Sequence, residues 1–390
     1  MMGMKWLASS GHRSPWGFLG MIGLVALAEF AIGLHAMSFY DVDEWAHRWT
    51  SRKASRGVQS REILCFGDSL IKLSVIPRII QERTGKPAFN LALSGSQAPT
   101  SYFVLRRVLD SGARPVAAIV NFSPPLLRVG PRHNLTRWPV LLNPLETAKL
   151  AYWAGDPDLM GEILVNQVVP SLRGKTTIRA NLMNAFGGRP DTNRHWNALG
   201  LRNWKKNDGA QLMTGSAAAH GLSDADVTKL RVGYYPEWKC HPANSAGIDR
   251  FLALARDYGV RVFWVLPPLL PALHDQLAGS GINAQLETFL SHWQAKYPNL
   301  VVVDARKKIV DLDAFWDPQH LAVEGAAAFS RALGDVLRES ITASAQKTAT
   351  EPPRDRWVSL PAFRLGPISP GIETIDQSRL AIQGVPKVQR

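Results

Sequence analysis

Residues 62–70 read Glu62-Ile63-Leu64-Cys65-Phe66-Gly67-Asp68-Ser69-Leu70. After one charge comes an apolar run of strand length, and Gly67 punctuates its end. Apolar side chains on both faces suit a parallel strand covered on each side, not a half-solvated one. Beyond the turn, 70–84 carries apolar residues at helical spacing. A serine at such a strand-to-helix turn stands at the carboxyl edge of a sheet, beside a helix N-terminus that favours developing negative charge. Gly67 lets the backbone turn without a Cβ clash. Taken alone, Gly-Asp-Ser is also an ordinary turn or helix N-cap.

Working outward, four more apolar runs follow, at 88–93, 116–121, 261–266 and 300–304. Amphipathic stretches fall between and after them, at 100–111, 245–258, 283–296 and 324–340. Strands alternating with helices predict parallel βαβ units. The expected class is α/β: a three-layer α/β/α sandwich on a five-stranded parallel sheet, spanning 61–340. Between the third and fourth strands, 125–258 lacks the alternation and holds Trp138, Trp153, Trp196, Trp204 and Trp238. An unstructured loop of that length does not suit a compact domain. It is expected to be a mainly helical insertion folded over the carboxyl ends of the strands, where open α/β sheets bind ligands, and so to set substrate choice. The proline-rich residues 341–390 read as a mobile tail.

With 46% hydrophobic and 20% charged residues, the composition excludes disordered and fibrous chains. The formal charge of +13 suits an anionic glycan or lipid surface, or a basic face that is merely solvated. The basic residues are dispersed and form no nucleic-acid motif, so nucleic acid is not expected as a partner. Two cysteines, Cys65 and Cys240, make neither a disulfide framework nor a zinc site. A buried free thiol is the default for Cys65, and a Cys65–Cys240 bridge is the alternative in an oxidising compartment. The 13 Trp residues serve cores and sugar-binding clefts equally well.

Residues 16–37 are apolar apart from Glu29 and His35, with Lys5, His12 and Arg13 before them and Asp41, Asp43 and Glu44 after. A run of about 20 such residues can span a bilayer. The basic flank predicts residues 1–15 inside and the remainder outside. Glu29 would cost about 2.5–3.5 kcal/mol at a helix centre, but it lies past the midpoint, toward the outer interface. Ala26-Leu27-Ala28 also has the small-x-small form of a signal-peptidase site. The segment is therefore read as a signal anchor, with a cleaved signal peptide as the alternative and a buried cytosolic helix as a third reading. Each of the first two places the domain outside the cytoplasm, periplasmic or extracellular. Residues 38–60 read as a juxtamembrane linker.

A second cluster of chemistry lies far downstream, at Trp316-Asp317-Pro318-Gln319-His320-Leu321. Serine needs a base to attack at neutral pH, and imidazole is the usual one. The imidazole needs a partner on its other nitrogen to fix the tautomer. Asp317 and His320, three apart in a loop before a helix, can supply both, although alone they would pass for a surface Asp and His.

Together these blocks resemble the SGNH (GDSL) hydrolase superfamily, which has a flavodoxin-like sandwich. The nucleophile block is similar to Phe66-Gly67-Asp68-Ser69-Leu70. The glycine block is matched by Gly95 in Asn90-Leu91-Ala92-Leu93-Ser94-Gly95, the asparagine block by Asn121, and the terminal Asp-x-x-His by Asp317 and His320 before Leu-x-x-x-Gly-Ala. The third block departs from the usual Gly-x-Asn-Asp, reading Ile119-Val120-Asn121-Phe122-Ser123, and a buried Asn capping a turn is the other reading of Asn121. The resemblance covers about 60–125 and 255–340. It implies a catalytic Ser69, Asp317 and His320, and an oxyanion hole from the Ser69 and Gly95 N–H groups and the Asn121 side chain. Such donors are worth about 3–4 kcal/mol each to the transition state. Asp68 and Trp316, beside these blocks, are expected to contact substrate. A triad of this kind implies no metal or other cofactor.

The resemblance extends to membrane-anchored members that O-acetylate polysaccharide, beside a multi-spanning membrane acyltransferase that supplies the acyl group. The expected function is an extracytoplasmic serine O-acyl (acetyl) transferase acting on cell-surface or secreted polysaccharide. The alternatives are a carbohydrate esterase or lipase with the same triad, and a non-catalytic glycan-binding or scaffold protein on the same fold. His133, His241 and the triplet Asn134-Leu135-Thr136 carry no functional reading beyond surface, packing or a chance sequon.

Overall fold

A computed structural model describes residues 15–215, 238–309, 311–345 and 356–383. The five apolar runs form β1 (Ile63–Gly67), β2 (Ala88–Asn90), β3 (Ala117–Asn121), β4 (Arg261–Leu266) and β5 (Leu300–Asp304). Nearly every residue in them is buried, as the lack of polar alternation requires of strands covered on both faces. All pair in parallel, in the order β2-β1-β3-β4-β5-β6.

The sixth strand, β6 (Trp357–Ser359), corrects two expectations. The sheet has six strands, and part of the supposed tail is structure: β6 extends the edge beside β5, with Val303 in register with Val358. Leu360 is buried, and the helix Ile375–Gln383 packs on the helix Thr192–Lys206. Arg202 pairs with Glu373 at 2.6 Å and Asn203 donates to the Glu373 carbonyl, so polar contacts hold this segment. A three-residue edge strand gives too short an apolar run to be read against its prolines.

The chain runs from β1 outward to β2, then back across β1 to β3. Right-handed crossovers in opposite directions put the β1–β2 and β2–β3 helices on opposite faces. On one face Pro77–Thr84 packs against Val323–Ala345; on the other, Ala98–Asp110 packs against Pro242–Asp257. Phe66 meets Phe251 edge-on at 5.4 Å between sheet and helix. The reversal leaves a crevice at the carboxyl ends of β1 and β3, the usual ligand position in such sheets.

The insertion is helical, as expected, with Pro144–Ala154, Pro157–Val168, Lys175–Phe186 and Thr192–Lys206 as its longer described elements. Its placement corrects the expectation in part. Residues 131–137 reach the loop after β2, but the later helices pack beside the N-terminal region. Four of its five tryptophans, Trp138, Trp153, Trp204 and Trp238, are buried in the core; Trp196 alone of the five is exposed. Trp153 stacks on Phe103 at 5.4 Å. The insertion's aromatic richness therefore serves packing.

The linker expected at 38–60 is instead largely the helix Val42–Arg56. Asp41 caps it by accepting the Glu44 N–H at 2.8 Å. Acidic residues fill its first turn and Lys53 and Arg56 its last, matching the helix dipole. It buries Ala46, His47, Trp49 and Ala54 and packs on Ala98–Asp110. Before it, Pro15–Leu34 is a helix whose apolar side chains are exposed, and residues 16–34 are long and apolar enough to cross a membrane or to act as a signal sequence. Cys65 and Cys240 are free thiols.

Candidate active site

β1 ends at Gly67, in register with Asn121 at the end of β3. Gly67 has φ +117°, and a Cβ there would lie 2.2 Å from the Asn121 carbonyl oxygen. Only glycine lets the two strand ends approach so closely and still turn. Its carbonyl accepts the Leu93 N–H at 2.9 Å and the Ser96 hydroxyl at 2.7 Å, which ties the loop after β2 to the nucleophile turn. Ser69 then opens the helix Ser69–Ser74.

The second cluster arrives on a tight loop. Phe315 and Leu321 form an antiparallel bridge, and Trp316 N–H donates to the His320 carbonyl at 2.9 Å. Asp317 Oδ1 accepts the N–H groups of Gln319 (2.8 Å) and His320 (2.9 Å). Its Oδ2 lies 2.7 Å from His320 Nδ1, and His320 Nε2 lies 2.8 Å from Ser69 Oγ. The following helix presses on this loop through Gly325, where a Cβ would fall 2.1 Å from the Ala314 carbonyl oxygen.

Burial raises the Asp317 carboxyl, but the hydrogen bond and charge of His320, with the Gln319 and His320 N–H groups, outweigh it and hold the group below its ordinary value. An ionised Asp317 keeps the proton on Nδ1 and leaves Nε2 to accept from the Ser69 hydroxyl. The Asp317 and His320 side chains remain 30% and 19% exposed, so solvent and substrate can reach them.

The structure thus joins Ser69, Asp317 and His320 in one chain of hydrogen bonds. Trp316 lies beside them, half-buried, its ring 6.3 Å from that of His320. Asp68 departs from its expected contact with substrate. It is 1% exposed, and its carboxylate accepts Leu70 N–H at 2.9 Å and Ser123 N–H at 3.1 Å. Burial pushes its carboxyl up, against those bonds. Asp68 is a helix cap that fastens the nucleophile turn to the end of β3.

Asn121 also departs from a freely directed donor. Its Nδ2 donates to the Val265 carbonyl at 2.6 Å; among the described residues its other N–H is uncommitted and its Oδ1 has no partner. Gly95 is in the left-handed region at φ +63°, and among the described residues no hydrogen-bond partner engages its N–H. The N–H of Ser69, in the first turn of its helix, has no intrahelical acceptor.

Several residues that hold this site carried no sequence signal. Asn134, buried, donates to the Gly95 carbonyl at 2.9 Å, and Arg137 donates to it at 3.2 Å while pairing with Asp43 at 2.5 Å. The triplet at Asn134 thus hides a packing role. Lys72, three residues after the nucleophile, is 1% exposed. It donates to the Gly209 carbonyl at 2.7 Å under the rings of Trp204 and Trp49, which pins the helix from its buried side. His241 accepts Ala243 N–H as a helix cap, while His133 is exposed.

Among the described residues, no group of three or more His, Cys, Asp or Glu side chains is arranged to hold a metal ion. Neither models of known protein families nor curated proteins match the chain.

Proposed function

We propose that the chain is a serine-dependent O-acyltransferase of SGNH type, acting outside the cytoplasm on polysaccharide hydroxyls through an acyl-enzyme at Ser69. The observation that carries this reading is the 2.8 Å contact between His320 Nε2 and Ser69 Oγ, with Asp317 on the other ring nitrogen. In the reaction, Ser69 Oγ attacks the ester carbonyl and its proton passes to His320 Nε2. The oxyanion is held by the N–H groups of Ser69 and Gly95, with the remaining N–H of Asn121 as a third donor. Collapse expels the donor's alkoxide, which takes the proton from His320. The acceptor hydroxyl repeats the sequence in reverse, with His320 first as base and then as acid.

Retention of the N-terminal segment as an anchor belongs to this proposal, and the exposed apolar side chains of its helix suit a bilayer. Glu29 Oε2 accepts Ser171 N–H at 2.9 Å, and Arg48 donates to the Gly33 carbonyl at 3.1 Å. Cleavage after Ala28 would strip the apolar residues but leave these polar ties. A multi-spanning membrane acyltransferase as acyl donor belongs to the same proposal.

Ester hydrolysis is the second reading, favoured by the partial exposure of His320 and Asp317 to solvent. Water and sugar compete for one acyl-enzyme, so acceptor dependence separates the two. The full-length protein in detergent or nanodiscs is mixed with p-nitrophenyl acetate, with and without oligosaccharide, beside Ser69→Ala. Acetylated sugar that needs Ser69 supports transfer. Ser69-dependent acetate release unaffected by sugar supports hydrolysis. Equal signal from wild type and Ser69→Ala contradicts both and favours a non-catalytic glycan-binding or scaffold role.

A further inference from the structure

Of three insertion helices, Pro170–Arg173 packs on the N-terminal helix and is flanked by Pro157–Val168 and Lys175–Phe186, and all three leave apolar side chains uncovered. Val168 is 76% exposed, Leu172 53%, Met183 65% and Phe186 86%. Leu182 and Phe186 are four residues apart and share one side of their helix. The other side turns inward, where Asn181 bonds the Ser38 carbonyl. Lys175 and Arg179 are exposed on the same helix.

The position of this patch follows from Glu29. Its carboxylate takes both the N–H and the hydroxyl of Ser171. Glu29 lies five residues inside the end of the helix Pro15–Leu34, or about 8 Å along its axis at 1.5 Å per residue. If that helix crosses the bilayer up to Leu34, Ser171 and its neighbours lie at the boundary of headgroups and acyl chains. Amphipathic surfaces seat themselves about 5–10 Å deep at that boundary. An open groove of about 890 Å³ separates the span from this face, lined by Met21 and Val25 on one side and Val168 and Pro170 on the other. Arg48, also in the groove, donates to the Gly33 carbonyl near the outer end of the span, at the level of lipid phosphates.

We infer that residues 157–186 form a membrane-docking face, seated in the leaflet on the catalytic domain's side, with phospholipid acyl chains filling the groove beside the span. Bilayer lipid is the occupant because the patch continues the exposed apolar surface of the span, and Arg48 stands in the groove near the span's outer end, where phosphates lie. The inference rests on the anchor reading given above. It makes the insertion a device that fixes the domain's orientation on the membrane, in addition to the tether that a lone span would give.

The test uses full-length protein in nanodiscs of phosphatidylethanolamine and phosphatidylglycerol, in a Cys240→Ser background. Single cysteines at Met21→Cys, Val168→Cys and Phe186→Cys carry an environment-sensitive fluorophore, and lipids carry a spin label shallow or deep in the acyl chain. The inference predicts an approximately twofold or greater loss of fluorescence at Val168 and Phe186 with the shallow quencher, and less with the deep one. Quenching at Met21 without quenching at Val168 and Phe186 would overturn the docking face and leave the anchor intact. Absence of quenching at Met21 as well would overturn the anchor reading and the inference together.

Discussion

His320 Nε2 lies 2.8 Å from Ser69 Oγ across 251 residues of sequence. Two separately rigid turns bring them together. One is the glycine-dependent end of β1; the other is the loop whose Asp317 Oδ1 binds two backbone N–H groups. The contact therefore depends on preorganised backbone at both ends.

Asp317 has two duties, and one substitution separates them. In Asp317→Asn the amide oxygen can still accept the Gln319 and His320 N–H groups, so the loop survives. The amide N–H₂ then faces His320 Nδ1 and favours the wrong tautomer. Ser69-dependent esterase activity should fall by about 10⁴-fold, with little change in Tm. Measured kcat and thermal unfolding on the same preparation check this.

Gly67→Ala places a methyl group against the Asn121 carbonyl, at a φ that L-residues rarely adopt. The strand ends must separate, and the loss of stability should be about 2 kcal/mol or more. Urea unfolding measures it. Activity should be lost with stability, because the same glycine carries the nucleophile turn.

Asn134→Ala removes a donor that holds the Gly95 carbonyl from the insertion side. With the glycine N–H no longer fixed, kcat should fall by about 10²-fold while KM moves little. Asn134→Gln gives a longer amide that can restore part of the rate; a role in folding alone would lower the yield of active protein and leave the kcat of each active site unchanged.

His47 is fully buried on Val42–Arg56, its Nδ1 2.7 Å from the Asp43 carbonyl. Burial, then the charge of Arg137, depress its pKa to about 3, against the pull of the Asp43 carbonyl. Between the ordinary value of 6.5 and about 3 the unfolded chain holds the proton and the folded chain does not. Stability is thus lost as pH falls through that window. Relative to His47→Gln, the wild type should lose about 1.4 kcal/mol more per pH unit there. Urea unfolding of both proteins from pH 7 to 4 measures the difference.

Much of the scaffold was legible because it is written in local pattern. Runs such as 261–266 are apolar throughout and bounded by turn residues, which suffices to read a buried parallel strand. Ser69 was readable from its place at a strand end, and Asp317 and His320 from their spacing in a loop before a helix, since those residue types make chemistry only in combination. What escaped is long-range. Charges in 38–60 suggest a linker, whereas Ala46, Trp49, Thr50 and Ala54 mark a helix whose buried face is known only from its partner. The short β6 is defined by pairing with β5, not by its own composition. Asp68 stands beside the nucleophile in sequence, but its two backbone N–H partners, one 55 residues away, cannot be seen there. Asn134, Arg137 and Lys72 act on neighbours distant in the chain, and no spacing rule announces them.

The central claim is that Ser69 is acylated. Full-length protein is incubated with p-nitrophenyl acetate, quenched in acid within seconds, digested and read by mass spectrometry. The account predicts an acetyl group on Ser69 in the wild type. The adduct should be absent in Ser69→Ala and strongly reduced in His320→Ala. Acetyl distributed over surface lysines alone, with Ser69 unmodified and product release the same in all three proteins, would contradict it.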